Sequence, residues 1–142
     1  MALKVTQADK HFSLCIREAA EWKCEKCHTY YPEGRRQGLH CSHYHGRGKW
    51  GLRFVVDNAA AHCYGCHQHL SSNPLKHQEW RVQHIGQGAC DILLEKSNDT
   101  ALGRLAKRNQ KEISKHYREE HKRLKELRAQ GVKGKLEINS WG

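Results

Sequence analysis

Apolar positions near the start of the chain recur with a helical period. Ala8, Phe12, Cys15, Ile16 and Ala19 fall three or four apart, which predicts an amphipathic helix over residues 7–22. Thr6 stands where an N-cap hydroxyl belongs, and Asp9 adds a carboxylate to the first turn. This helix is expected to brace whatever follows. The period is then lost, and Tyr30-Tyr-Pro-Glu-Gly34 breaks regular structure. Residues 38–45 read as a first strand and residues 52–56, rich in β-branched side chains, as a second. The glycine-rich run Gly46-Arg-Gly-Lys-Trp-Gly51 would join them in a hairpin with a long connection. Asp57-Asn58 ends the hairpin, and Ala59-Ala-Ala leads to a short helix carrying His67 and His69.

The second half reads as mostly helical. Asn73-Pro74 marks a helix start, with Asn as N-cap and Pro at the first helical position. That helix should run to residue 85 and stop at Gly86 in a left-handed cap. A short helix over 89–96 precedes Ser97-Asn-Asp-Thr100, a loop whose last residue is the expected next N-cap. Residues 100–130 then form one expected helix, which at its full length would span roughly 45 Å. Leu102, Leu105, Ile113, Tyr117, Leu124 and Leu127 lie near one stripe of it, while the other faces carry ten Lys or Arg against four Glu. Gly131 and Gly134 end it, and residues 131–142 are expected to form a flexible tail. The expected organisation is a bracing helix in 1–23, a core in 24–86, a basic helical extension in 87–130 and the tail.

Composition changes the picture in three ways. With 37% hydrophobic and 8% aromatic residues, apolar burial is modest and a structural metal would supplement it. A formal net charge of +10 favours a polyanionic partner, most simply nucleic acid. No apolar run approaches the roughly 20 residues that span a bilayer, and the N-terminus has no apolar signal-peptide core. An intracellular, cytoplasmic protein with no membrane partner is expected. In such a reducing compartment paired Cys-x-x-Cys motifs read as metal sites, and the odd count of seven cysteines excludes complete disulfide pairing.

Chemistry gathers between residues 24 and 73. Cys24-Glu-Lys-Cys27 and Cys63-Tyr-Gly-Cys66 offer four soft ligands for a tetrahedral structural Zn2+. A redox role would need only one pair and a thioredoxin-like βαβ pattern, which the chain lacks. Between and beside the pairs lie His40, His43, His45, Asn58, His67 and His69. A phosphodiester hydrolase needs a base to activate water and a cation to neutralise the phosphorane, and histidine with a divalent ion supplies both. Arg47, Lys49 and Arg53, with Arg81 further on, are candidate phosphate contacts.

At these residues the chain resembles the HNH, or ββα-metal, nucleases, and more closely the phage NinG/Rap recombination endonucleases. The resemblance runs through Asp9-Lys-His-Phe-Ser13 with Ile16-Arg17, Cys24-Glu-Lys-Cys27, Ser42-His-Tyr with Gly46-Arg-Gly, and Leu52-Arg-Phe. It continues through Asp57-Asn58, Cys63-Tyr-Gly-Cys66-His-Gln-His69, Ser72-Asn73, Trp80-Arg81 and His84-Ile-Gly86.

The resemblance implies an α+β fold with a zinc-stabilised ββα-metal core, an N-terminal helix and a mostly helical C-terminal half. It implies His43 as general base and Asn58 as the residue that holds the loop. It implies His67 as ligand of a catalytic Mg2+ or Mn2+, with His69 and His40 as further candidates. Ser42 departs from the pattern, since many relatives carry a metal ligand directly before the base. The expected function is a phage endonuclease cutting branched DNA such as D-loops or junctions. A recombinase is a candidate partner, and the chain could act as monomer or homodimer. The alternatives are a non-catalytic zinc-finger DNA-binding protein and an HNH nuclease acting on other DNA or on RNA.

Overall fold

The computed structural model describes residues 4–142. Met1-Ala-Leu3, part of the stretch read as lacking a signal-peptide core, lies outside them. Helix α1 spans Gln7–Ala19 and opens as expected. Asp9 N donates to Thr6 Oγ1 at 3.2 Å and Thr6 N donates to the Asp9 carboxylate at 2.8 Å, a reciprocal capping box. The helix stops short of residue 22 because Glu21 and Trp22 both take left-handed backbone, φ 59°. Trp22 folds back there, its indole N–H donating to Glu18 at 2.7 Å.

Strand β1 (His40–His43) pairs antiparallel with β2 (Ala59–His62), His40 facing His62 and His43 facing Ala59. The second strand is therefore not residues 52–56. That stretch is a series of turns closed by a 3-10 turn at Val56–Asn58. Asn58 explains the difference. Its fully buried side chain accepts from His45 N at 2.9 Å and donates to His45 O at 2.9 Å and Leu52 O at 3.1 Å. These bonds gather the loop into a knot, and Leu52 and Phe54 plug its underside as buried residues. The alanine run reads weakly as strand by propensity, yet it pairs because the knot and the following cysteine turn hold both its ends.

Helices α2 (Tyr64–Ser72), α3 (Pro74–Ile85) and α4 (Gln87–Ser97) follow in the expected places. Asn73 stands at the N-cap of α3 with Pro74 at the first helical position, as expected, but its side chain makes no capping bond and its amide donates instead to His69 O at 2.7 Å. Gly86 has the expected positive φ of 90°, but ψ 158° puts it in an extended region open essentially to glycine rather than in a left-handed cap. The single helix expected over 100–130 is two, α5 (Thr100–Arg108) and α6 (Gln110–Ala129). Asn109 separates them, its amide donating to Leu105 O at 2.8 Å in competition with the helical ladder. Asp99, not Thr100, caps α5, accepting from Ala101 N and Leu102 N.

The core lies between α1 and α6, where Phe12, Cys15, Ile16 and Ala19 meet Ile113, Tyr117 and Leu124. Tyr117 ties it to the loop below, donating its hydroxyl to Phe54 O at 2.5 Å and accepting from Trp141 N at 3.1 Å. Residues 131–142, expected to be flexible, are packed here: Leu136 and Ile138 are buried. Leu136 N donates to Ala19 O at 3.0 Å and Asn139 N to Glu120 at 2.9 Å. Among the described residues, six helices and one small sheet make an α+β architecture. No helix among them is long and apolar enough to cross a membrane.

Candidate metal centre and active site

The two cysteine pairs converge. The sulfurs of Cys24, Cys27, Cys63 and Cys66 all lie within 4.8 Å of one another, a four-thiol set of the kind that could hold a structural zinc ion. Cys27 N points at Cys24 Sγ across 3.5 Å, the backbone-to-sulfur approach expected of a tight knuckle. Thr29 Oγ1 sits 3.3 Å from Cys27 Sγ and holds that thiol down at about 6, while burial pushes Cys24 and Cys66 up. Glu25, between the first pair, pins the knuckle to the sheet. Its carboxylate accepts from Ala61 N at 2.6 Å, from His84 at 3.0 Å and from Lys135. Burial alone would raise its pKa, but these three partners hold it at about 2. Nothing in the sequence pattern marks Glu25 for this work, since its partners lie 36 to 110 residues away.

The imidazoles meet in a cleft of about 580 Å3 between α1 and the edge of β1, lined by His40, His43, His67 and Arg47 on one side. On the other side lie Lys10, Ser13 and Arg17 of α1. The bracing helix thus forms a wall of the cleft. Its polar stripe at positions 10, 13 and 17 has helical spacing too, but the apolar face dominates the pattern.

His43 Nε2 lies 3.0 Å from Arg53 O. A carbonyl only accepts, so Nε2 carries the proton and Nδ1 keeps its lone pair. Burial lowers the His43 pKa to about 4, so the ring is neutral at pH 7. Phe12 supports it from below, ring centres 6.0 Å apart. His40 Nδ1 and His67 Nδ1 face each other at 3.0 Å. Burial, then the neighbouring His40, keep His67 below its ordinary pKa and available as a lone-pair donor.

Other candidates fall elsewhere. His69 is exposed and does not line the cleft: two residues apart on α2, it and His67 stand about 200° apart around the helix. His45 contributes its backbone to the Asn58 knot rather than its ring to the cleft. Asn58 itself is fully enclosed and acts on the loop from beneath.

Two of the four expected phosphate contacts are turned inward. Arg53 is 1% exposed and forks onto Asp9, Nε at 2.9 Å and Nη2 at 2.5 Å. Burial would raise the Asp9 pKa, but Arg53 and Thr6 hold it below the usual carboxylate value. Arg81 is 2% exposed and donates to the carbonyls of Asp57 and Ala59. Both fix backbone around the site, because a guanidinium enclosed by the fold cannot reach a DNA strand. Lys49 is exposed, and Arg47 lines the cleft 3.8 Å from Asp9. Arg17 is an addition to the expected set. Its Nε donates to Ser13 O at 3.2 Å and its guanidinium lies over the Trp22 ring at 4.9 Å, which sets the group at the cleft wall.

The chain belongs to the NinG family: the family model described as Bacteriophage Lambda NinG protein matches residues 6–127. This makes it a phage-type protein, and the matched span takes in every cleft and cysteine residue named above. No curated protein and no solved structure matches it.

Proposed function

We propose that this chain is a metal-dependent DNA endonuclease of the HNH type, cutting branched DNA of the kind met in recombination. The observation that carries the reading is a neutral, anchored His43 in the same cleft as the His40–His67 pair. In the proposed reaction His43 Nδ1 takes a proton from water as the water oxygen attacks phosphorus. The bond from phosphorus to the 3′ oxygen breaks, leaving a 5′-phosphate and a 3′-hydroxyl. Arg53 O keeps the ring turned so that Nδ1, not Nε2, meets the water. Arg17, Arg47 and Lys10 line the cleft with positive charge and hold the phosphate in place.

His40 and His67 fit a catalytic ion. Their Nδ1 atoms, within hydrogen-bond distance of each other at 3.0 Å, present two nitrogen donors at one place in the cleft that would hold a divalent ion between them. His40 thus takes the place that Ser42 leaves empty of a ligand. Held there, a divalent ion would supply positive charge to the phosphorane and the departing oxygen. Two nitrogen donors favour Mn2+ over Mg2+, which prefers an all-oxygen shell.

The test is cleavage of flapped, D-loop and four-way DNA with Mn2+, comparing wild type with His43→Ala. Loss of a general base costs about 100- to 10,000-fold in rate, so at least a hundredfold drop is expected with zinc content unchanged. Undiminished cleavage by His43→Ala would overturn the base assignment, and no cleavage by wild type on any substrate would overturn the enzyme reading.

A further inference from the structure

The glycine-rich loop has two faces. Arg47 looks onto the cleft, and two residues on, Lys49 lines a separate groove of about 350 Å3 against α5. We infer that this groove, built by Lys49 with Arg104 and Lys107, is a second phosphate-binding site that grips the DNA backbone beside the cut. It rests on the reading that the chain binds DNA, and extends it to a surface the cleft does not contain.

The groove is built rather than incidental. Loop and helix pack face to face at Gly51, where an added Cβ would come within 3.1 Å of Leu102 Cβ, closer than ordinary contact. Lys107 Nζ lies 5.5 Å from the Trp50 ring centre, which positions the ammonium over the groove floor. Lys49, Arg104 and Lys107 are all exposed. The acidic side chain lining the groove, Asp99, is committed to capping α5. The break at Asn109 matters, because it lets α5 depart from α6 and lie against the loop. Three cations beside one already engaged carboxylate complement a phosphate backbone, not an acidic or apolar ligand. Because the loop separates groove from cleft by only two residues, neighbouring phosphates of one DNA can reach both.

The experiment is equilibrium binding of a fluorescent duplex, long enough to pass both sites, to a His43→Ala background across a salt series. Arg104→Gln/Lys107→Gln is compared with a charge-matched control on α6, Lys122→Gln/Lys125→Gln. The groove variant should weaken binding about tenfold or more and flatten the log–log salt slope by about 2, one for each phosphate left without its cation. The control should do markedly less. In the otherwise wild-type protein the groove variant should leave hydrolysis of bis(p-nitrophenyl) phosphate unchanged, since that substrate occupies only the cleft. Equal weakening by the two variants, or an unchanged slope with the groove variant, overturns the groove. Melting temperatures equal to wild type within error keep misfolding out of the comparison. A protein that binds DNA through the groove but hydrolyses nothing would sink the nuclease reading while leaving the groove intact.

Discussion

Asp9 shows how a single side chain can serve two levels of structure. It closes the capping box of α1 and also receives the Arg53 fork, whose own carbonyl holds His43. Removing one partner of a buried charge pair typically costs about 3–5 kcal/mol, because the other is left uncompensated. Asp9→Asn is therefore expected to lower stability by that order in urea titration and, on the proposed nuclease reading, to slow DNA cleavage through a displaced His43. Full stability with Asn at this position would show that the cap, not the ion pair, is what Asp9 contributes. The pairing also shows where sequence reading fails. Arg53 sits in a run with Arg47 and Lys49 and shares their charge, yet burial is decided by Asp9, 44 residues away. The cysteine pairs are legible because two short spacings carry a four-thiol centre, whereas His43 stands out only through the family resemblance. The inward arginines, Glu25 and Arg17 are not legible, because their roles depend on partners or neighbours that only the fold supplies.

Among the elements, the small sheet and the tail depart furthest from expectation. Strand propensity favours residues 52–56, but Asn58 uses its three hydrogen bonds to make that stretch a loop. The pairing passes instead to alanines, which carry no strand signal. The tail misleads for a similar reason. Leu136 and Ile138 are too few to register as an element, but each is buried against the α1–α6 pair. Burying one such side chain contributes about 1.5–3 kcal/mol. Deleting residues 135–142 also strips Asn139 from Glu120 and Trp141 from Tyr117. The shortened chain is expected to lose about 3 kcal/mol or more, read as a clear fall in Tm. An unchanged Tm would mean that the tail is a passenger.

At the scale of the whole molecule, acid should unfold this protein in a defined order. His62 is fully buried and His77 nearly so, and burial lowers their pKa values to about 3 and about 4. Above about pH 6.5 both are neutral folded and unfolded, so they contribute no pH dependence. As pH falls from about 6.5 towards 4 the unfolded chain takes up protons that the folded chain refuses, and stability drops. Glu25, held at about 2, adds a second loss as pH falls from its ordinary value of 4.5 towards 2. Tm should accordingly decline between pH 7.5 and 5. His77→Phe should flatten that decline at unchanged zinc content. A decline identical to wild type would place the acid sensitivity in other groups, His62 and His43 first among them.

The partnership of α1 with α6 also bears on synthesis. The helix that walls the cleft is made first, but the surface that buries its apolar face is residues 110–129, made more than ninety residues later. Until that span has left the ribosome, Phe12 and Ile16 have only the sheet and the loop at Phe54 to pack against and lack the α6 side of their core. The four thiols and the cleft-lining residues have all emerged by residue 67, but α1, the wall of the cleft, is not yet held by α6. The order of elements along the chain therefore acts as a timer, delaying a cleft with its wall held until almost the whole polypeptide exists.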